Sequence, residues 1–333
     1  MKQRGFRYCN ACNNKLRKNG KENNKQRWRC MSCGTANIQK RPDLSERFML
    51  HRFVDYLLGM QARKNVNGIV LALPWQLEKC WSVNPEPIVT GEIYPYLVVD
   101  AKHSGAGMAA IVRTKDFVVF WSHDEREWSG LWYESLRHLP RPGAMVSDGQ
   151  KGIFRALDLL WPNIIVQRCL VHVQRNLHNK LTSNPKSEAG KDLRHLLFDL
   201  FHINTEDEMS LFVATFYELY DTHRQFVGQR TFYLDPQTSK QRWWYTHRGV
   251  RSSYRQLDKL LQNDQLFAFI THPELQIPKT TNLLEGGINS HLDELIYRHR
   301  GMSKVHQRRL IDWYLDSRSE NPFLRRKNTK NGH

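Results

Sequence analysis

Long apolar stretches are missing from this sequence of 333 residues. No run approaches the roughly 18 consecutive apolar residues that a membrane-spanning helix needs, so we predict no membrane-spanning segment and no membrane partner. The first residues, MKQRGFRYC, contain no apolar centre of the kind found in secretory signal peptides. We therefore expect a cytoplasmic protein.

Acidic residues are also scarce relative to basic ones. The chain has 33 Asp and Glu against 50 Lys and Arg, which gives a formal net charge of +17. Residues 1–40 carry 11 Lys or Arg and one acid, Glu22, so net +10 of this charge lies in that segment. A basic excess of this size favours a polyanionic partner, most simply nucleic acid.

Cysteine is rare too, with six in the chain, and in a reducing compartment it indicates metal ligation or plain burial and not disulfides. Four of the six form two Cys-x-x-Cys pairs, Cys9/Cys12 and Cys30/Cys33, separated by 17 residues. Two such pairs can enclose one tetrahedral Zn²⁺, so residues 1–40 are predicted to be a zinc ribbon. The alternative is four unrelated cysteines. Arg27 and Arg29 are the candidate DNA contacts of this module.

Residues 41–90 read as a helical connector. Apolar residues at helical intervals run from 44 to 58, after Pro42 and before Gly59. The stretch that follows could form two short helices around Gly68, as in a helix-turn-helix, or a plain helical linker. Cys80 lies in an apolar segment and is expected to be a small core residue.

Residues 91–176 change to a pattern of short buried strands. We predict strands at 93–100, 107–114 and 117–121, a helix at 127–139, a strand at 144–146, a helix at 152–160 and a strand at 163–167. The order is β-β-β-α-β-α-β, and Asp100 and Asp148 close the first and fourth strands. Taken alone, the stretch AMVSDGQKGI favours Asp148 as a helix N-cap. If the first and fourth strands are neighbours, however, the two carboxylates meet at one edge.

Two adjoining carboxylates raise each other's pKa because their negative charges repel each other, and a bound divalent cation removes this repulsion. Oxygen ligands of this kind suit Mg²⁺ or Mn²⁺, and two ions would serve a phosphoryl displacement. A third carboxylate is available in the late helix opened by TTNLLEGGIN, where Glu285 and Asn289 are four residues apart on one face. On its own, Glu285 would be interpreted as a first-turn acid.

These residues carry a resemblance to a known family. Asp100, Asp148, the segment TTNLLEGGINSHL and the following RHRGMSKVHQRRLIDWYL resemble the Mutator-like DDE transposases of bacterial insertion sequences, as does the Cys169-x-x-His172 pair. The resemblance implies a ribonuclease-H-like mixed sheet with flanking helices and the triad Asp100, Asp148 and Glu285. For Cys169 and His172, burial with a hydrogen bond near the catalytic edge is favoured over metal ligation.

The sequence departs from the family pattern after the first acid. The family often has Asp-Gly at this position, whereas Asp100 is followed by Ala101 and Lys102. A lysine directed at the carboxylates would weaken metal binding, and we expect Lys102 to point away.

Residues 177–279 have a helical pattern and are predicted to be an all-α insertion into this fold. They contain the run KQRWWYTHR, whose tryptophans are either core residues or base-stacking residues beside basic side chains. Residues 280–318 complete the core with a final helix, and residues 319–333 form a basic tail. The candidate DNA contacts of these segments are Trp243, Trp244, Tyr245, Arg248, Arg251, Arg298, Arg300, Arg308 and Arg309.

The function implied is that of a DDE transposase that binds transposon-end DNA and catalyses metal-dependent strand cleavage and transfer. Its cofactors would be two Mg²⁺ or Mn²⁺ ions and one structural Zn²⁺. Its partners would be double-stranded DNA and a second copy on paired ends, in the bacterial nucleoid. The alternatives are a zinc-ribbon nucleic-acid-binding protein with an idle nuclease fold, and a host nuclease or resolvase.

Overall fold

The computed structural model describes residues 8–9, 14–23, 25–38, 42–59 and 74–325, without the side chains of 42–48 and 74–77. Cys12, the predicted helix-turn-helix around Gly68 and the tail from residue 326 onward lie outside the described residues. Contacts within the chain separate residues 1–83 from residues 84–333, and each unit is considered by itself. Among the described residues, no helix has the length and apolar character needed to cross a membrane.

The first unit contains a small antiparallel sheet followed by two helices. Its elements are β1 (Leu16–Glu22), β2 (Lys25–Cys30), β3 (Ala36–Ile38), α1 (Pro42–Leu58) and α2 (Pro74–Trp81), with the strands in the order β1-β2-β3. The rings of Phe53 and Trp81 meet edge to face, with centroids 4.8 Å apart, and join the two helices. Cys80 is 6% exposed, so its expected burial is confirmed.

The second unit is built on a five-stranded mixed sheet. Its first elements are β4 (Tyr96–Ser104), β5 (Gly107–Arg113), β6 (Val118–Asp124), α3 (Ser129–Leu136), β7 (Ala144–Ser147), α4 (Lys151–Leu160) and β8 (Ile165–Arg168). The strand order is β6-β5-β4-β7-β8. Strands β4, β5 and β6 are antiparallel, and β7 and β8 add in parallel. The predicted element order and the pairing of the first and fourth strands are confirmed.

The predicted end of the first strand is wrong. Asp100 is the fifth of nine residues of β4, which continues to Ser104 because its pairing with β5 extends from Val98 to Ser104. Pairing with β7 covers only Tyr96 to Val98. Asp100 therefore lies where the parallel neighbour ends, although its own strand does not.

Helices pack against the sheet. On one face, α3 and α4 pack against Leu97, Val99 and Met145, and Trp132 of α3 is fully buried in that core. On β6, the Trp121 indole donates a hydrogen bond of 3.1 Å to Asp312 of a later helix, α13 (Lys304–Ser317). The strand residues that carry chemistry therefore lie on a packed framework.

The insertion has its own core and is not all helical. Its elements are α5 (Leu170–Leu181), α6 (Glu188–Asp199), α7 (Glu206–Thr222), α8 (Arg224–Gly228), β9 (Arg230–Leu234), β10 (Gln241–Tyr245), α9 (Arg248–Gln262) and α10 (Ala268–Thr271). Phe216, Tyr254 and Leu257 are fully buried among these helices. The strands β9 and β10 form an antiparallel hairpin, which corrects the prediction of an all-α insertion. The physical reason is local, because the aromatic residues of TFY and WWY favour extended backbone.

The chain then returns to the sheet through three helical segments. They are α11 (Asn282–Leu284), a π-helical turn (Glu285–Asn289) and α12 (Ser290–Arg298), which precede α13. Nη1 of Arg113 on β5 donates a hydrogen bond of 2.7 Å to the carbonyl of Leu283. This contact fixes the entry of the π turn against the sheet.

Candidate active site and nucleic-acid interface

The register of the parallel strands places the two predicted aspartates side by side. Strand β4 pairs with β7 so that Tyr96 lies opposite Ala144 and Val98 opposite Val146, an offset of 48 residues in both pairs. Continuing this offset along the chain brings Asp100 level with Asp148, which directly follows β7. Neighbouring parallel strands lie about 4.8 Å apart. The two carboxylates thus belong to one cluster.

Asp148 does not cap the following helix. The N-cap of α4 is Gln150, whose side chain accepts the backbone N–H of Gly152 at 3.3 Å. Asp148 instead uses Oδ1 to accept the Gln150 N–H at 3.0 Å in a tight turn. Gly149 makes this turn possible, since its φ is +89° and a Cβ there would overlap the Arg168 guanidinium. The capping alternative for Asp148 is therefore wrong.

Glu285 reaches the cluster from the first residue of the π-helical turn. Such turns are rare and occur frequently at functional sites. The Thr281 hydroxyl donates to Oε1 of Glu285 at 2.8 Å, and Nδ2 of Asn289 donates to Oδ2 of Asp100 at 2.8 Å. The helix thus contributes a carboxylate and an amide that binds the strand carboxylate directly.

The electrostatics of the cluster appear in the pKa of Asp100. Burial, together with the negative charges of Asp148 and Glu285, raises this pKa from 3.8 to about 7. The Ala101 N–H, which donates at 2.9 Å, opposes the rise. Concentrated negative charge on hard oxygen ligands suits Mg²⁺ or Mn²⁺. The three carboxylates therefore have the donor chemistry that a divalent cation prefers, while the ligand atoms of Glu285, Cys169 and His172 all lie within 4.8 Å of one another.

Sequence reasoning missed a fourth carboxylate in this neighbourhood. Burial raises the pKa of Glu127, and the charge of Asp148 raises it further. The Trp132 indole donates to Oε1 of Glu127 at 3.1 Å. We interpreted Glu127 as the first residue of a helix, whereas α3 begins at Ser129. A buried indole five residues later is the only local signal for it.

Cys169 and His172 lie beside Glu285. The Cys169 thiol is fully buried and accepts a hydrogen bond from the Thr281 backbone N–H at 3.3 Å. Its sulfur lies 3.2 Å from the Thr281 hydroxyl oxygen, whose single proton is donated to Glu285. Nδ1 of His172 is 3.4 Å from Oε1 of Glu285, without the geometry of a hydrogen bond. Burial raises the pKa of Cys169, but interactions with His172 and Thr281 lower it below its usual value. The predicted burial is confirmed for Cys169.

Lys102 is on the same face of β4 as Asp100, because the two are two residues apart in a strand. Strand alternation turns Ala101 to the other face, so alternation gives no reason for Lys102 to point away from Asp100. Nζ of Lys102 is bound by Asp293 of α12 at 2.5 Å. This ion pair holds the ammonium on α12, and Asp293 neutralises it.

The first unit brings three of the four predicted zinc ligands together. The sulfur atoms of Cys9, Cys30 and Cys33 all lie within 4.8 Å of one another, with Cys9 and Cys33 at 3.5 Å. The five cysteines that the structure describes form no disulfide. Three adjacent thiols suit Zn²⁺. The fourth predicted ligand, Cys12, lies outside the described residues.

Several predicted DNA contacts are exposed aromatic residues of the insertion. Trp243 is 48% exposed and Trp244 37% exposed, so the core alternative is wrong for both. Arg251 lies 3.5 Å from the ring centroid of Tyr245, and Arg248 lies 5.9 Å from that of Trp244. The two arginines and the three rings form one surface of the hairpin and α9.

The other predicted DNA-binding arginines have acidic or aromatic neighbours. Arg298 pairs with Glu294, Arg308 with Glu125 at 2.7 Å, and Arg309 with Asp312 at 3.2 Å. Arg300 lies over the ring of Tyr297. In the first unit, Arg27 pairs with Glu22 at 3.4 Å, and Arg29 is exposed on β2. DNA contact by these residues stays a prediction.

Comparison with known proteins points to one class. Residues 114–225 match the family model described as "Transposase, Mutator family". The matched segment includes Asp148, Cys169 and His172, while Asp100 and Glu285 lie outside it. The similarity covers part of the chain.

Two relatives carry the same description in their names. The chain is 30% identical over 112 residues to "Transposase for insertion sequence element IST2" of Acidithiobacillus ferrooxidans, covering 32% of this chain and 38% of the relative. It is 27% identical over 168 residues to "Transposase for insertion sequence element IS256 in transposon Tn4001" of Staphylococcus aureus, covering 45% of this chain and 41% of the relative. The matched region thus spans about two fifths of these relatives. The similarity supports a transposase of a bacterial insertion sequence.

Proposed function

We propose that this protein is a DDE transposase, which binds the ends of an insertion sequence and catalyses cleavage and transfer of DNA strands. The observation that carries the proposal is the cluster of Asp100, Asp148 and Glu285, in which burial and mutual charge raise the pKa of Asp100 to about 7. The strand order β6-β5-β4-β7-β8, with an antiparallel half and a parallel half, supports a ribonuclease-H-like fold.

Asp100, Asp148 and Glu285 would hold the divalent ions. When bound, two Mg²⁺ or Mn²⁺ ions stabilise the attacking and leaving oxygens of an in-line phosphoryl displacement. The protein supplies the positions. The Gln150 N–H orients Asp148, the Thr281 hydroxyl orients Glu285, and the Asn289 amide orients Asp100. Asp148 and Glu285 thus each accept one of these hydrogen bonds on a single oxygen, whereas both oxygens of Asp100 accept one, from Ala101 and from Asn289.

The remaining parts of the proposal concern binding. The cysteine cluster would hold one structural Zn²⁺ with Cys12 as the fourth ligand, and the basic first unit would contact double-stranded DNA. Because a transposition event requires cutting at two ends, we propose that two copies act together. The relatives' names and the formal charge of +17 both support a DNA partner.

Isosteric substitutions test the catalytic assignment. Asp100→Asn, Asp148→Asn and Glu285→Gln should each abolish nicking of terminal-repeat DNA in Mg²⁺ or Mn²⁺, measured on denaturing gels, because each removes a ligand charge. End binding by gel shift should be nearly unchanged. The matched controls are Asp221→Asn and Glu274→Gln, which alter exposed acids and should cut normally.

Two results would contradict the proposal in different ways. An Asp148→Asn protein that still cuts in Mg²⁺ would remove Asp148 from the catalytic set. A wild-type protein that binds ends in both metals and never nicks them would instead favour the idle nuclease fold.

A further inference from the structure

Two adjoining hollows form one groove along α9. The larger, of about 820 Å³, lies between α4 and β8 on one side and α9 on the other. The smaller, of about 370 Å³, lies at the start of α9 beside Tyr245. Both are lined by Gln256 and Lys259, so they are continuous. We call this surface the α9 groove. One end is at Gly149, next to Asp148, and the other is at the β9–β10 hairpin.

The α9 groove is strongly basic. It is lined by six basic side chains and by only one carboxylate, that of Asp158. The basic residues are Lys151, Arg168, Arg248, Arg251, Arg255 and Lys259. The four on α9 recur at intervals of three or four residues and so share one helix face. Such a row of like charges destabilises a helix unless an anion lies against it.

Some basic residues of the unit outside the groove are neutralised by an acid. Arg137 pairs with Glu134, and Lys102 pairs with Asp293. Within residues 84–325, by contrast, none of the six groove residues forms an ion pair with a carboxylate. The groove therefore keeps a positive charge that the protein itself does not compensate.

Aromatic rings hold some of the arginines in place. The Arg251 guanidinium lies 3.5 Å from the ring centroid of Tyr245, and Arg168 lies 5.7 Å from that of Phe154 while donating to the Asp148 carbonyl at 2.6 Å. A guanidinium fixed in this way needs less ordering to bind a phosphate. Beyond the groove, Phe232 and Tyr233 are 58% and 47% exposed on the hairpin.

We propose that the α9 groove binds a single DNA strand, with the sugar-phosphate backbone running from Asp148 along α9 to the exposed aromatic residues of the hairpin. Cations beside exposed rings are the combination that binds single strands. A volume of about 820 Å³ falls in the roughly 300–1,000 Å³ range of pockets that enclose small ligands. A short length of one strand fits such a space.

The groove has a defined reach. From Arg248 to Lys259, α9 rises about 17 Å, which corresponds to about five nucleotides at a 3.4 Å rise. This inference rests on the proposed function, because the strand that would occupy the α9 groove is the one that is cut or transferred beside Asp148. The inference adds the path that the strand follows away from Asp100, Asp148 and Glu285.

Binding of a single-stranded oligothymidine of about 12 nucleotides tests the groove without catalysis. Fluorescence anisotropy is measured in magnesium-free buffer over a range of salt concentrations. The test variant is Arg255→Gln with Lys259→Gln, both exposed on α9. The control variant is Arg224→Gln with Lys191→Gln, which removes two exposed cations that do not line the groove.

The test variant should bind the oligonucleotide at least about tenfold more weakly than wild type. Its slope of log affinity against log salt should be smaller by about 1.4, since each lost phosphate contact contributes about 0.7 on a single strand. The control variant should resemble wild type. Equal affinity and slope in test and control variants would overturn the inference, and so would an equal loss for a duplex of the same length.

The outcome is separable from that of the proposed function. If wild-type protein never nicks end DNA but the groove variant loses strand binding, the catalytic proposal fails and the groove stands as a strand-binding site. If wild type nicks DNA and the groove variant binds the strand normally, the groove assignment fails alone. The melting temperature of each variant shows that it is folded.

Discussion

Asp100→Asn should make the metal-free protein more stable at alkaline pH. The folded-state pKa of Asp100 is raised from 3.8 to about 7, first by burial and then by Asp148 and Glu285. Between these two values the folded state binds more protons than the unfolded state, so wild-type stability falls as pH rises. Asparagine does not titrate in this range, so the stability of the variant does not fall with pH for this reason.

The magnitude follows from the same two pKa values. At about 1.4 kcal/mol per pH unit, a rise from 3.8 to about 7 lowers the free energy of unfolding by about 4 kcal/mol above pH 7. About 2 kcal/mol of this is already lost at pH 5, so about 2–3 kcal/mol separates pH 5 from pH 8. The asparagine can lose one hydrogen bond, from Ala101 or Asn289, which costs about 1 kcal/mol at every pH.

Urea unfolding at a series of pH values measures the difference between wild type and variant. The buffer contains no magnesium, and it contains no strong chelator because we propose that the first unit holds zinc. The advantage of Asp100→Asn should grow by about 2–3 kcal/mol between pH 5 and pH 8. Magnesium at pH 8 should stabilise wild type and leave the variant unchanged.

The control is Asp221→Asn, which removes an acid whose side chain is 83% exposed. Its stability should follow wild type at all pH values. Parallel curves for Asp100→Asn and wild type would refute the reasoning, because they would show that Asp100 does not titrate in a cluster of buried charge.

Two further predictions concern the zinc ligands and the hairpin. Wild-type protein should contain one zinc per chain, and Cys30→Ser should abolish it and unfold residues 1–40, whereas Cys80→Ala should retain the metal; zinc-free wild-type protein purified without chelators would contradict this. Trp243→Ala should lose about 1–3 kcal/mol of affinity for single-stranded or distorted ends with little change in melting temperature, since the ring is 48% exposed. A large drop in melting temperature without a loss of affinity would return Trp243 to a structural role.

Much of the sheet could be predicted from the sequence because its signals are local. Buried strands read as short apolar runs, and their order with the intervening helices follows from periodicity. The Cys-x-x-Cys pairs indicated their own cluster, which the structure brings together for Cys9, Cys30 and Cys33. The hairpin of the insertion was missed, although its aromatic strands have a local signal, because the surrounding pattern is helical.

Tertiary structure decided the composition of the candidate site. The offset of 48 residues between β4 and β7 makes Asp100 level with Asp148, and strand pairing between distant segments determines that offset. Arg113 donates a hydrogen bond to the carbonyl of Leu283, two residues before Glu285. Glu127 accepts a hydrogen bond from the buried indole of Trp132. Apart from the contact between Glu127 and Trp132, these contacts join segments that are far apart in the sequence.

The α9 groove is likewise a property of the tertiary structure alone. Its walls come from α4, β8 and α9, and the sequence shows only that each contains basic residues. Local sequence determines which side chains are present and at what intervals they recur along a helix or strand. Packing determines which elements meet, because the arrangement that forms is the one that buries apolar side chains such as Leu257 and Leu260. The positions of the charged side chains follow from that arrangement.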